Sequence, residues 1–223
     1  HHRPRMTEVF HNPKLLVRRI ATESLVCLLD DGYFFVDNTL FTGNRWHELL
    51  PIRQKYSRQL SKVEGRLSMT LEELSEISKL FQYDYLLGIL NSRLMTYYYD
   101  KKFKTKSLEV LTKCKIKKCE KPIQKTIGTI AKTIQKLNTN EIDTDFFDKQ
   151  ILDSLIYELY LNDLLKTNLT TLIEPLVSNI AEYLQKNDYT EINHIIDEIK
   201  NNPEIMNEIK TIKQTKIVSD IEQ

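Results

Sequence analysis

Twelve lysines lie between Lys101 and Lys136, opposed only by Glu109 and Glu120. Lysine neutralises phosphate without reading sequence, and releases counterions in doing so. A run this dense therefore fits a phosphate-facing surface, while a solvated face of a lysine-rich protein is the plainer reading of the same pattern. Other chemistry-bearing residues are poorly arranged. Cys114 and Cys119 have the types for two metal ligands, but Cys27 stands alone and no second pair completes a zinc site. Asp30-Asp31 would suit a metal-dependent nuclease, yet the following Gly32 makes a hairpin turn the better explanation. His47 and His194 have no partner placed for a nucleophile–base relay and read as surface or packing residues. The five glycines, Gly32, Gly43, Gly65, Gly88 and Gly128, are scattered, which excludes a dinucleotide fingerprint and a P-loop. No Pro-Pro pair occurs, so the Asn/Asp-Pro-Pro-aromatic loop of an amino methyltransferase is absent from the sequence. The sequence thus offers no catalytic, metal or cofactor residues, and catalysis by this chain is not expected.

These side chains sit on 223 residues, room for one large domain or two small ones with a real core. Apolar residues make up 41% and charged residues 28%, an ordinary globular balance. The formal net charge of +1 hides a division. Residues 1–139 carry 25 Lys+Arg against 14 Asp+Glu, a net +11, whereas residues 140–223 carry 7 against 17, a net −10. Such asymmetry makes nucleic acid a candidate partner for the first piece. Asn138-Thr139-Asn140 marks the change, giving a domain over 1–139 and an extension over 140–223. No stretch approaches the roughly 20 apolar residues of a bilayer span. His1 to Arg5 lacks a signal peptide's apolar segment, and three cysteines do not make a disulfide framework, so a cytoplasmic protein without membrane contact is expected.

The elements that must position the charge begin with strands. Lys14–Ile20 and Leu25–Leu29 read as β, and Asp31-Gly32 predicts a hairpin turn returning through Tyr33–Val36 towards Phe41. Their continuous apolar runs predict a sheet covered in part on both faces. The stretch Arg45–Ser68 is polar and resists assignment. Thr70 followed by Glu73 predicts a capping box opening a helix towards Leu80. Tyr83, Leu87, Leu90 and Leu94 predict one helix from Tyr83 to Tyr98. Gly88 within it costs about 1 kcal/mol relative to alanine, which points to close packing there. Pro122 opens a helix towards Leu137. Beyond Asn140 the pattern is helical throughout: a stripe of Phe147, Ile151, Leu155 and Leu159, then Leu164–Lys186, Tyr189–Asn201 and a segment after Pro203, with periodicity lost and fraying expected after Thr211. The fold class is therefore α+β, an N-terminal mixed β-sheet domain with packed helices followed by an all-helical C-terminal extension.

Several of these segments also carry a family likeness. Pro13-Lys14-Leu15-Leu16-Val17-Arg18-Arg19-Ile20, then Gly32-Tyr33-Phe34-Phe35-Val36-Asp37-Asn38-Thr39-Leu40, resembles the start of the TaqI-like C-terminal specificity domain. The likeness continues in Tyr85-Leu86-Leu87-Gly88-Ile89-Leu90-Asn91-Ser92-Arg93-Leu94 and Tyr97-Tyr98-Tyr99. Asp148-Lys149-Gln150-Ile151-Leu152-Asp153-Ser154-Leu155-Ile156-Tyr157-Glu158-Leu159-Tyr160 looks like the helix that follows the specificity region in combined restriction–modification enzymes, although glycine usually stands where this chain has Leu161. The resemblance covers about residues 11–160. It implies a target recognition module for duplex DNA. The adenine-N6 DNA methyltransferase activity, its S-adenosylmethionine and any fused endonuclease would then lie upstream of His1.

Such a module needs cations for phosphates and a smaller set of side chains for base edges. Arginine grips guanine bidentately, so Arg18, Arg19, Arg45, Arg53, Arg58 and Arg66 are the candidates for direct readout. Lys101, Lys102, Lys104 and Lys106 suit backbone contacts. Arg18 and Arg19 are adjacent in a strand and point to opposite faces, so at most one faces a groove. Asn38 and Asn91 lie in the resembling segments and fit structural roles, tying a turn and locking a helix to the sheet. The competing reading is a protein-interaction or oligomerisation module built on the acidic helices, without direct DNA readout.

Overall fold

The computed structural model describes residues 8–18, 25–31, 34, 39–52, 54–55, 57–102 and 114–223. Helix α1 (Glu8–His11) leads into a three-stranded antiparallel sheet of β1 (Lys14–Arg18), β2 (Cys27–Asp30) and β3 (Leu40–Gly43), in the order β2-β1-β3. The central strand is buried along four of its five residues, as its unbroken apolar run requires. Leu15, Val17, Cys27 and Leu29 enter the main core. At the end of the β1–β2 ladder the buried Lys14 ammonium donates to the Asp30 carboxylate and, at 2.8 Å, to the Phe10 carbonyl. Asp30 is therefore a structural ion-pair partner.

The outward-facing backbone of β2 has no fourth strand beside it among the described residues. Two carboxamides take that place. Asn91 accepts the Cys27 N–H at 2.7 Å and donates to the Cys27 carbonyl at 2.9 Å. Gln135 does the same for Leu29, at 2.8 Å in both directions. With that edge occupied, β3 pairs with β1, Leu16 opposite Thr42 and Val17 opposite Phe41. The turn residue Gly32 and the return segment, Phe34 excepted, lie outside the described residues, as does Asn38.

The stretch that resists assignment from sequence forms α2 (Trp46–Leu49), a 3-10 turn (Leu50–Ile52) and α3 (Ser57–Leu67). Helix α4 (Leu71–Lys79) follows, opened by the expected capping box: the Thr70 hydroxyl accepts the Glu73 N–H at 3.1 Å, and the Glu73 carboxylate accepts the Thr70 N–H at 2.8 Å. Leu60, Leu71 and Leu74 gather Trp46, Leu50, Ile52 and Met69 into a small cluster apart from the main core.

The single helix expected from Tyr83 to Tyr98 is two, α5 (Tyr83–Asn91) and α6 (Arg93–Lys102), because Ser92 is extended at φ −66°, ψ 151°. Its hydroxyl accepts the Met95 N–H at 3.2 Å and donates to the Ile89 carbonyl at 2.8 Å. The carboxylate of Asp153 accepts the Arg93 N–H at 2.8 Å, so two side chains satisfy the start of α6. Helix α7 (Lys121–Thr139), with Pro122 in its first turn, crosses α5 at two glycines. A Cβ on Gly88 would stand 2.9 Å from Ile127 Cγ2, and one on Gly128 would stand 2.8 Å from Asp84 Cβ and 3.0 Å from the Tyr85 backbone nitrogen.

After Asn140 a π-helical turn (Phe146–Leu152) runs into α8 (Asp153–Leu165), which leaves helical geometry at Leu161 (φ −115°). Then follow α9 (Leu169–Lys186), α10 (Tyr189–Asn201), α11 (Pro203–Gln214) and α12 (Lys216–Glu222). The stripe residues Phe147, Ile151 and Leu155 are fully buried, and one hydrophobic cluster extends from the sheet to Ile221. Buried Glu158 accepts the Leu169 and Thr170 N–H groups at 2.7 and 2.8 Å, capping α9. The fraying expected after Thr211 is replaced by ordered helix: Val218 and Ile221 are buried, Lys213 binds Glu222, and Arg93 donates to the Glu222 carbonyl at 2.7 Å. The end of the chain is held by packing and by charges from two other helices, neither of which local periodicity reveals. The α+β class stands, with a small sheet and a predominantly helical remainder. Among the described residues no helix is long and apolar enough to cross a membrane.

Gly128→Ala should lower stability by about 1–3 kcal/mol in urea denaturation, because backbone stands in the way. Gly65→Ala, with nothing within 4 Å of the added carbon, should raise it by up to about 1 kcal/mol. Burial pushes the Asp153 carboxyl up to about 7. The native state then holds a proton that the unfolded chain releases, so this group's contribution to stability falls as pH rises from about 4 to about 7 and is level above. Asp153→Asn keeps an oxygen for the Arg93 N–H, and thermal melts across that range should lose up to about 4 kcal/mol of pH dependence.

Candidate nucleic-acid interface

Ahead of α7 the chain passes through residues 114–120 without helix or strand, in the middle of the lysine-rich stretch. Its backbone is clamped from three helices, α5, α7 and α8. The Tyr160 hydroxyl accepts the Lys117 N–H at 2.9 Å and donates to the Lys115 carbonyl at 3.0 Å. Tyr85 donates to the Lys117 carbonyl at 2.5 Å, and burial raises both phenols above their ordinary range, keeping them protonated as donors. Gln124 donates to the Cys119 and Leu80 carbonyls at 3.0 and 2.8 Å and accepts the Gln82 N–H at 3.1 Å. The Lys117 ammonium turns inward to the Leu159 carbonyl at 2.6 Å.

What remains outward is mainly cationic, with Glu120 the exposed acid at the end of the strap. Lys115 and Lys118 are exposed on the strap, and Lys121 and Lys125 are exposed on the first turns of α7. None of these four has a carboxylate within ion-pair distance among the described residues. A backbone fixed by side-chain hydrogen bonds thus presents flexible cations at fixed spacing, with the positive end of the α7 macrodipole behind two of them. Anions of a repeating kind, such as successive phosphates, suit this arrangement.

The residues singled out from sequence are distributed differently. Lys101 and Lys102 are exposed in the last turn of α6, their ammonium groups 5.5 and 5.0 Å from the rings of Tyr97 and Tyr98, and Lys102 donates to the Tyr98 hydroxyl at 2.9 Å. Arg18 ends β1 with its side chain exposed. Arg45 is engaged internally: its guanidinium binds Glu48 at 2.5 and 3.0 Å and lies 4.4 Å over the Tyr83 ring, whose hydroxyl donates to Glu48 at 2.7 Å. Arg58 and Arg66 are positions of α3 whose side chains lie outside those described, and Arg19, Arg53, Lys104 and Lys106 lie outside the described residues. The strap lysines belong to the run that composition flags. Their clamps leave no local signal in the sequence, because Tyr85 and Tyr160 are 32 and 43 residues from the Lys117 backbone atoms they bind.

A groove of about 1280 Å³ lies along β2, bounded by Asn91, Arg93, Tyr97, Lys101, Asp148 and Asp153 among others. Its charge is mixed, and burial raises the Asp148 carboxyl as it does that of Asp153. Cys27, Cys114 and Cys119 form no disulfide, and burial holds all three thiols protonated, Cys27 up to about 12. His47 is bound to Ser78, ring to hydroxyl at 2.8 Å, and His194 is exposed. Among the described residues no group of three His, Cys, Asp or Glu is placed to hold a metal ion. No family model, curated protein or solved structure matches this chain.

Tyr160→Phe removes one acceptor and one donor from the strap. Hydrogen exchange at Lys117 should accelerate markedly, with a global loss of about 1–2 kcal/mol, and no change in exchange would show that the strap is held by other means.

Proposed function

We propose that this chain is a target recognition module for duplex DNA, serving a restriction–modification adenine-N6 DNA methyltransferase whose S-adenosylmethionine site, and any endonuclease, belong to another region. The observation that supports the reading is the clamped strap with four exposed lysines on and beside it, none of them in an ion pair among the described residues. A pre-ordered backbone lowers the ordering cost of gripping a regular polyanion. Lys115, Lys118, Lys121 and Lys125 neutralise phosphates and set the register, a role that carries no sequence information. Lys101 and Lys102, braced over tyrosine rings in the last turn of α6, add two further exposed cations. Reading of bases falls to other side chains. If the partner region flips an adenine, these contacts also hold the distorted duplex, because a base within the stack is out of reach.

Selection from a randomised duplex library at two salt concentrations tests the reading. The folded chain should bind with steep inverse salt dependence and enrich a motif. Replacing the four lysines by glutamine should weaken all duplexes to a similar degree. It should also lower the slope of log K against log salt by about 3 to 4, near 0.9 for each phosphate that is no longer neutralised. Absence of binding to every duplex at low salt removes the reading in favour of a protein-interaction module.

A further inference from the structure

Helix α3 stands apart from the rest of the charge pattern. Its eleven residues, about 16 Å of helix, contain three basic residues and a single acid. That acid, Glu64, is turned to the body of the protein, where it accepts the Leu71 N–H at 3.0 Å at the start of α4. Leu60 is also turned inward, buried in the small cluster beneath. Residues four apart share a helix face, so positions 58, 62 and 66 form one stripe, with 61 and 65 on the same face between them. Lys62, Ser61 and Gly65 are exposed, and a Cβ built on Gly65 would meet no atom within 4 Å. By register the basic positions 58, 62 and 66 share this face, and its described residues, Ser61, Lys62 and Gly65, are exposed, with a bare patch of helix backbone at Gly65.

We infer that α3 is the recognition helix of the module and enters the major groove of duplex DNA, with Lys62 contacting base edges or flanking phosphates and Ser61 and Gly65 setting the closest approach. The inference rests on the DNA-recognition reading and deepens it. A major groove about 12 Å wide admits one α-helix, and guanine presents two acceptors there to a lysine or arginine. Arg58 and Arg66 occupy the same face by helical register, which joins two of the candidates for base readout to Lys62, a residue that the lysine run did not include. A partner of opposite charge fits this face, and the missing side chain at Gly65 lets a rigid groove wall come closer than any larger residue would.

The test uses the whole chain and compares Gly65→Leu and Lys62→Gln with the unaltered protein. Because Gly65 faces open space, Gly65→Leu should melt at the same temperature or higher. It should bind the enriched motif about tenfold or more weakly while losing little affinity for unrelated duplexes, and guanine N7 methylation in the motif should block binding of the unaltered protein. Should Gly65→Leu melt earlier, Lys62→Gln, a change on an exposed side chain, carries the comparison and should relax preference at one position of the motif. Selective binding that both variants keep unchanged overturns the role of α3 and leaves DNA recognition standing. Binding of all duplexes alike by the unaltered protein also overturns it as a reader, and absence of any binding removes the underlying reading with it.

Discussion

The crossing of α5 and α7 at Gly88 and Gly128 is the constraint on which the other placements depend. With no side chain at either position the two helices approach until backbone of one meets side chains and backbone of the other. From that contact each helix carries its functional groups outward at fixed intervals. Asn91 lies three residues beyond Gly88 and Gln135 seven beyond Gly128, and these two amides seat β2. In the opposite direction Tyr85 and Gln124 reach the strap that holds the exposed lysines. The sheet and the cationic surface are thus set by one helix pair, and a shift of the crossing would displace both.

Burial of polar groups follows the same economy. Among the described residues the buried acids each have assigned hydrogen-bond work: Asp30 meets Lys14, Asp153 caps α6, and Glu158 caps α9. Two of these belong to the acidic C-terminal half and one of their targets, α6, belongs to the basic half. Part of the charge division is therefore internal wiring between segments, and net charge by segment overstates what reaches the surface. The four lysines on and beside the strap are the contrasting case, exposed and without carboxylate partners among the described residues.

Signals that act over a few residues were legible in the sequence. The Thr70–Glu73 capping box, the opening of α7 at Pro122 and the helix Tyr189–Asn201 all rest on side chains close to the backbone they serve. The break at Ser92 was not, because its second acceptor is Asp153, 60 residues away. Nor was the order of the sheet, since the occupation of the β2 edge depends on Gln135, 106 residues from Leu29. The C-terminal helix failed for a related reason: only seven residues long, it has too few turns to display a period, and Val218 and Ile221 owe their burial to neighbours. For the candidate interface the lysine density was visible, while the tyrosines that give it a fixed shape, Tyr85 and Tyr160, stood out only as members of the segments that carry the family likeness.

The pair of carboxamides on β2 also governs what the sheet can become. A strand edge with free N–H and C=O groups is a template onto which another chain can add, and small sheets are the most exposed to this because one new strand changes them most. Asn91 and Gln135 present the hydrogen-bond pattern of a neighbouring strand without its continuation, each closing both bonds of one residue. An incoming strand would have to displace four bonds before forming its own. On this edge the sheet is therefore terminated chemically, by two side chains, and β2 is protected against edge-to-edge association for as long as the helix pair behind it stays folded.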